Sequence, residues 1–190
     1  SKNKSLNLNK FPLIVGYCNC NHLSSITKVS PYERYKEHDY SYTSDNSPVS
    51  ISHFYSIANK IVNKYKINKS NKILEIGSND GTFLNNFSKN KIIGVEPCKN
   101  VEKLTRKKGY STYPIYWNDE TCNFLKKKYG KFDLIFSANT LSHIKNLENL
   151  FKNIFNILSD DGTLIIEDPS LLECIKTNTY DQFYNEHIYV

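Results

Sequence analysis

A chain of 190 residues is long enough to bury one ordinary core and too short for a string of domains. An apolar fraction of 39%, aromatic residues at 13% and charged residues at only 23% exclude disordered, collagen-like and coiled-coil classes. The net charge of +6 rests on lysines scattered along the chain, with arginine only at Arg34 and Arg106, so the clustered basic face that a nucleic-acid partner needs is not expected.

Residues 1–48 are irregular in texture, with Pro12, Cys18, Cys20, His22 and Pro31 ahead of a tyrosine-rich stretch. From 49 to 67 the apolar residues Ile51, Phe54, Tyr55, Ala58, Ile61, Val62 and Tyr65 recur at spacings of three and four, which predicts one amphipathic helix. Strand-like runs then alternate with helix-like ones. Strands are expected at 72–76, 91–95, 112–116, 132–136 and 163–166, and helices at about 81–89, 99–108, 119–129 and 146–158. Such alternation predicts a doubly wound α/β domain over 49–190 whose sheet is mostly parallel, because each crossover is long enough to return the chain to the same edge. In that architecture ligands gather beyond the carboxyl ends of the strands, which directs attention to the residues just after each one.

After the first of these strands comes Glu75-Ile76-Gly77-Ser78-Asn79-Asp80-Gly81. Gly77 and Gly81 allow a tight turn and close approach of backbone to a ligand. The loop lacks the Gly-Lys-Ser/Thr ending of a P-loop and the third glycine of a dinucleotide fingerprint, so neither a nucleoside triphosphate nor a nicotinamide cofactor is favoured. The second strand ends in Glu96-Pro97, about twenty residues on, where an acid is placed to accept hydrogen bonds from a ribose.

Glu-x-Gly-x-x-x-Gly followed by a strand-terminal Glu resembles the class I S-adenosylmethionine-dependent methyltransferases, with their Rossmann-like fold. On that resemblance Glu75, Gly77, Ser78, Asn79, Asp80 and Gly81 line the methionine part of the cofactor, Glu96 and Pro97 the ribose, Trp117 and Asn118 the adenine, and Asn139 the same pocket. Taken together, EIGSNDGTFL, GVEP, SANTLSHIKNL, IIEDPSLL and YDQFYNEHIY are similar to the sugar C-methyltransferase family, which methylates a carbon of nucleotide-linked keto-sugars. This likeness runs from Phe11 to Val190. It implies that Tyr184, Glu186 and His187 of the Tyr-x-Glu-His element form the reaction centre with His143, and that Tyr40 and Tyr42 reach the substrate.

A carbon next to a ketone becomes a nucleophile once a proton is removed and the enolate is held. Histidine titrates near the pH required, and neighbouring donors steady the oxyanion. His187 is the candidate base; Glu186 tunes it, and Tyr184 and His143 donate to substrate oxygens. Two other readings stay open. One is O- or N-methylation of another small molecule, and the other a catalytically silent module that binds S-adenosylmethionine. A histidine such as His143 is also compatible with a simple capping role, and Tyr-x-Glu-His with a solvated helix face.

The family also carries a small zinc-binding lobe at its amino end, built on two Cys-x-x-Cys pairs. Residues 11–23 resemble its second half, but Cys18-x-Cys20 is one residue short and no upstream pair is seen, so Cys18 and Cys20 are candidate zinc ligands for which four-fold coordination is not expected. Five cysteines, an odd number, suit a reducing compartment, and cytoplasmic location is the expectation. No apolar run of about 18 residues is present, so no membrane span is expected. The absence of methionine, together with the family's further carboxyl-terminal strands and domain, leads to the expectation of a chain cut at both ends. Oligomeric state is left open.

Overall fold

The computed structural model describes residues 12, 14–19, 22–25, 35, 40–87, 92–179 and 187–188. Strands β1 (Val15–Cys18) and β2 (His22–Ser25) pair antiparallel, with Cys18 opposite His22. Cys20 and residues 180–186, which hold Tyr184 and Glu186, lie outside the described residues.

Helix α1 (Pro48–Tyr65) opens where Ser47 accepts the Ser50 N–H at 3.3 Å and Pro48 fills a first-turn position that requires no N–H. It closes on Lys66 in the left-handed region at φ 53°. Its apolar stripe, with Phe54, Ile57, Ala58 and Ile61, packs on one face of a five-stranded sheet. That sheet contains β3 (Ile73–Ile76), β4 (Ile92–Val95), β5 (Ser111–Tyr113), β6 (Phe132–Ala138) and β7 (Leu158–Glu167). The order is β5-β4-β3-β6-β7 and every pairing is parallel. This is the Rossmann-like α/β fold expected from the sequence. The direction of winding reverses between β3 and β6, which makes their carboxyl ends the switch point.

Alternation at period two sends Leu74, Ile76, Ile93, Val95 and Ile135 to one face and Ile73, Ile92, Leu134 and Phe136 to the other. The first face is covered by α3 (Asp119–Tyr129) and α4 (Leu147–Ile157) through Cys122, Leu125, Leu150, Ile154 and Ile157. On the second, Phe83 stacks on Phe136 with centroids 3.8 Å apart. Burying each such ring contributes on the order of 2–3 kcal/mol. Helices α2 (Lys99–Lys107) and α5 (Leu171–Thr177) follow β4 and β7. Among the described residues no helix is long and apolar enough to cross a membrane.

Three boundaries differ from expectation for physical reasons. Of the segment expected as a helix at 81–89, the described residues 81–87 hold a short 3-10 turn, Leu84–Asn86, because the Asn86 amide donates to the carbonyls of Thr82 and Phe83 and so takes acceptors that a continuing helix would use. The third strand stops at Tyr113, since Pro114 brings no N–H to the ladder. The fifth starts earlier, at Leu158, and its pairing with β6 slips between Phe132 and Leu134.

Candidate functional site

At the switch point lies a cavity of about 790 Å³, within the usual size of a small-molecule site. Residues from the ends of β3, β4 and β6 line it together with the 40–44 segment. Of the residues expected from sequence, Glu75, Gly77, Ser78, Asn79, Glu96, Pro97, Trp117, Asn139, Tyr40, Tyr42 and His143 are on its wall.

The glycine loop is fixed from beneath by the N–H groups of Gly77 and Ser78, both donating to Val95 O at 2.8 and 3.0 Å. Gly77 sits at φ 78°, and a Cβ there would fall 2.0 Å from Thr140 Oγ1. Backbone therefore approaches β6's exit loop as closely as it can. Asn79, at φ 46°, adopts a left-handed conformation that asparagine tolerates, and its carbonyl accepts from Thr105 Oγ1 at 2.7 Å.

Glu96 is buried, and its two oxygens accept the Asn79 N–H at 2.9 Å and the Cys98 N–H at 2.8 Å. Burial pushes its carboxyl up while those two N–H groups pull it down. Each carboxylate oxygen retains a further lone pair, so the same group can tie the two loops together and still accept a ligand hydroxyl.

Three expected residues do other work. Asp80 is fully buried beneath the loop, where it accepts from Thr82 N and Oγ1 and from Asp45 N. Gly81, at φ 78°, turns the chain against Thr105. Asn118 caps α3 by accepting the Thr121 N–H at 2.9 Å.

The 40–46 segment is stitched to the same loop. Ser44 N–H donates to Asn79 Oδ1, Asn79 Nδ2 donates to Tyr42 O, and Lys108 donates to both Asp45 Oδ2 and Asp80 O. Asn100 exchanges hydrogen bonds with the backbone of Tyr40. Tyr40 and Tyr42 are thereby held at the cavity wall.

Glu75 is 3% exposed, and its Oε2 has no hydrogen-bond partner among the described residues. Burial drives its carboxyl well above the usual carboxylate range, and the charges of Asp80 and Glu96 drive it further. Trp117 Nε1 is likewise buried with no partner among the described residues. An acceptor that favours a cation and an indole donor, both on the cavity wall, fit a ligand with a positive centre and a polar ring system.

Glu75→Gln should therefore stabilise the empty protein at neutral pH. An unpartnered buried carboxylate costs more than a neutral amide in its place, by roughly 1–3 kcal/mol, so the thermal midpoint is expected to rise by about 2–12 °C. The sign follows from a folded pKa raised above the unfolded one. Below the unfolded value both states are protonated and the substitution changes little; the penalty of native Glu75 grows as pH rises towards the folded pKa and is complete above it. A thermal midpoint unchanged from pH 4 to 8 would contradict this.

At the other end of the cavity, Tyr35 OH lies 3.1 Å from His143 Nδ1. The ring of His187 packs edge-on against His143 at 4.9 Å, and His187 is only 2% exposed. His143 thus forms cavity wall and His187 stands against it. Cys98, Cys122 and Cys174 are buried thiols, with Cys98 also on the cavity wall. Among the described residues no group of three metal-ligating side chains occurs.

Sequence reasoning did not select Tyr35, Thr140, Tyr116 or Lys145, all on the cavity wall, nor Asp168 behind it. Asp168 directly follows β7 and Thr140 lies two residues past β6, so strand-end position was their available signal.

The methyltransferase-domain family matches residues 52–190. Among characterised proteins the chain is 25% identical over 179 residues to the C-methyltransferase NovU of Streptomyces niveus, covering 93% of this chain and 42% of that protein. It is 28% identical over 131 residues to the phosphoethanolamine N-methyltransferase of Plasmodium falciparum, covering 65% and 48%. The chain spans less than half the length of either. Among solved structures, the plantazolicin methyltransferase BpumL in complex with SAH superposes with a TM-score of 0.57 at 16% identity, over 75% of this chain and 59% of that one. The PH0226 protein of Pyrococcus horikoshii gives 0.54 at 19% identity, over 72% and 62%. These two likenesses concern the fold.

Proposed function

This chain belongs to the methyltransferase-domain family, and from that membership and the geometry of its cavity we propose that it transfers a methyl group from S-adenosylmethionine to a carbon of a nucleotide-linked keto-sugar. The observation that carries the reading is the meeting, on one cavity wall, of a glycine loop cross-tied to a strand-terminal acid and a Tyr35–His143 pair, with His187 packed behind His143.

The glycine loop from Gly77 to Asn79 would hold the amino-acid end of the cofactor, with Glu75 beside its positive charge, Glu96 at the ribose, and Trp117 with Tyr116 at the adenine. Bound there, S-adenosylmethionine supplies an electrophilic methyl on a sulfonium sulfur. What the chain must add is a nucleophile held in line and water kept away. The histidine pair takes the proton from the carbon beside the ketone, with His187 as its base and His143 as the member on the cavity wall. Tyr35 and Tyr40 face the substrate side and can donate to the developing oxyanion. Lys145 is the one Lys or Arg among the described residues lining the cavity, and it suits an acceptor that carries phosphate. Tyr184 and Glu186 complete the proposed centre by the resemblance of their motif. Reduced, buried thiols suit a cytoplasmic enzyme.

Support for carbon as acceptor comes from the Tyr-x-Glu-His motif and the similarity to NovU; similarity to the phosphoethanolamine enzyme supports nitrogen as the second reading. Incubation with methyl-labelled S-adenosylmethionine and a panel of keto-sugar nucleotides, simple amines and phosphoamines separates them. Label in a carbon-bound methyl of a keto-sugar nucleotide is expected. Transfer confined to amines would replace the first reading by the second, and binding without transfer to any acceptor would favour a silent module.

A further inference from the structure

Asp168 immediately follows β7, and the side chain turns towards the short 3-10 turn Leu141–His143. Its Oδ2 accepts the Leu141 N–H at 3.3 Å and its Oδ1 the Ser142 N–H at 3.2 Å. The same turn is gripped from the other side, because the Ile188 N–H donates to Ser142 O at 2.7 Å. His143 ends this turn and His187 precedes Ile188, so the two bonded backbones bring the histidine rings into edge contact at 4.9 Å. Burial pushes the Asp168 carboxyl up, while the N–H groups of Ser142 and Leu141 and the charge of His187 pull it down. Glu167 and Glu173 line a cavity of about 300 Å³ next to Asp168, and they add negative charge around it.

We propose that Asp168 is a positioning residue of the transfer site: its carboxylate fixes the turn that carries His143, against whose ring His187 packs, and so sets how the histidine pair is held and charged. The proposal rests on the reading of the histidine pair as the base. A carboxylate beside an imidazole favours its protonated form, and a base that must take a proton from carbon near neutral pH gains from that support. Asp168 itself does not touch the acceptor; it acts through the two histidines.

The test follows the ring nitrogens of the five histidines by NMR as a function of pH in the whole chain, in the native protein, Asp168→Asn and Asp168→Glu. Asparagine keeps an acceptor for the turn but loses the charge. The titration midpoint of His187 is expected to fall by about one pH unit in Asp168→Asn and to return most of the way in Asp168→Glu. Affinity for S-adenosylmethionine should stay within about twofold in both variants, since Asp168 is outside the larger cavity. A His187 midpoint equal in native and Asp168→Asn overturns the proposal, and so does a fall in Asp168→Asn that Asp168→Glu leaves unrestored. Failure of the functional reading shows separately, as absence of S-adenosylmethionine binding by the native chain.

Discussion

His187→Ala is expected to slow methyl transfer by about 10²–10⁴-fold while affinity for S-adenosylmethionine stays within about twofold, because general-base catalysis is worth that much and the ring stands away from the glycine loop. His143→Ala should fall in the same range. The two rings are in edge contact, and Tyr35 hydrogen-bonds one of them, so they act as a unit. The double variant should then be no slower than the slower single one, as happens when either change disables a shared device. Single-turnover rates with labelled cofactor and a cognate acceptor provide the measurement. Full rates in both single variants would remove the pair from the mechanism, and strictly multiplicative losses would show two independent contributions.

The second large effect belongs to Gly77. Gly77→Ala meets two penalties at once: a left-handed backbone at φ 78°, and a Cβ only 2.0 Å from Thr140 Oγ1. The backbone term costs about 1–2 kcal/mol and overpacking about 1–3 kcal/mol, so a loss of roughly 3 kcal/mol is expected in denaturant unfolding. Cofactor binding should disappear as well, because the loop must shift at the place where β3 and β6 converge. Thr140→Ala in the same chain removes the oxygen at 2.0 Å and the methyl at 2.9 Å, and should recover the packing part but not the backbone part. Unchanged stability of Gly77→Ala would show that the loop is not held as the structure has it.

Much of this fold was legible because local chemistry and tertiary packing agree. Helix α3 begins and ends where the sequence announces it, with Asn118 capping, Asp119 and Glu120 in the first turn, Lys126 to Lys128 in the last, and Gly130 beyond. The core strands show their two faces directly, as in Ile73 and Leu74. The segment at 81–89 misled because Thr82, Phe83 and Leu84 imitate a helical start, whereas the Asn86 side chain competes for the backbone carbonyls.

That Gly77 to Asn79 and Glu96 would line the cavity was readable for a different reason: glycine spacing and a strand-end acid are local patterns. Even so, Asp80 and Asn118 turned out to brace the loops around the cavity, since a polar residue in a motif looks the same whether it faces ligand or backbone. Tyr35 and Asp168 escaped because their significance is spatial. Tyr35 reaches a partner 108 residues away, and Asp168 acts on a turn 26 and 27 residues earlier. No spacing rule connects such positions until the sheet brings strand ends together.

Calorimetric titration of the native chain with S-adenosylmethionine tests the central claim most directly. One molecule bound per chain with micromolar affinity, weakened at least tenfold by Glu96→Ala, is the predicted result. No heat of binding at millimolar cofactor, by a chain whose circular dichroism shows it folded, would contradict it.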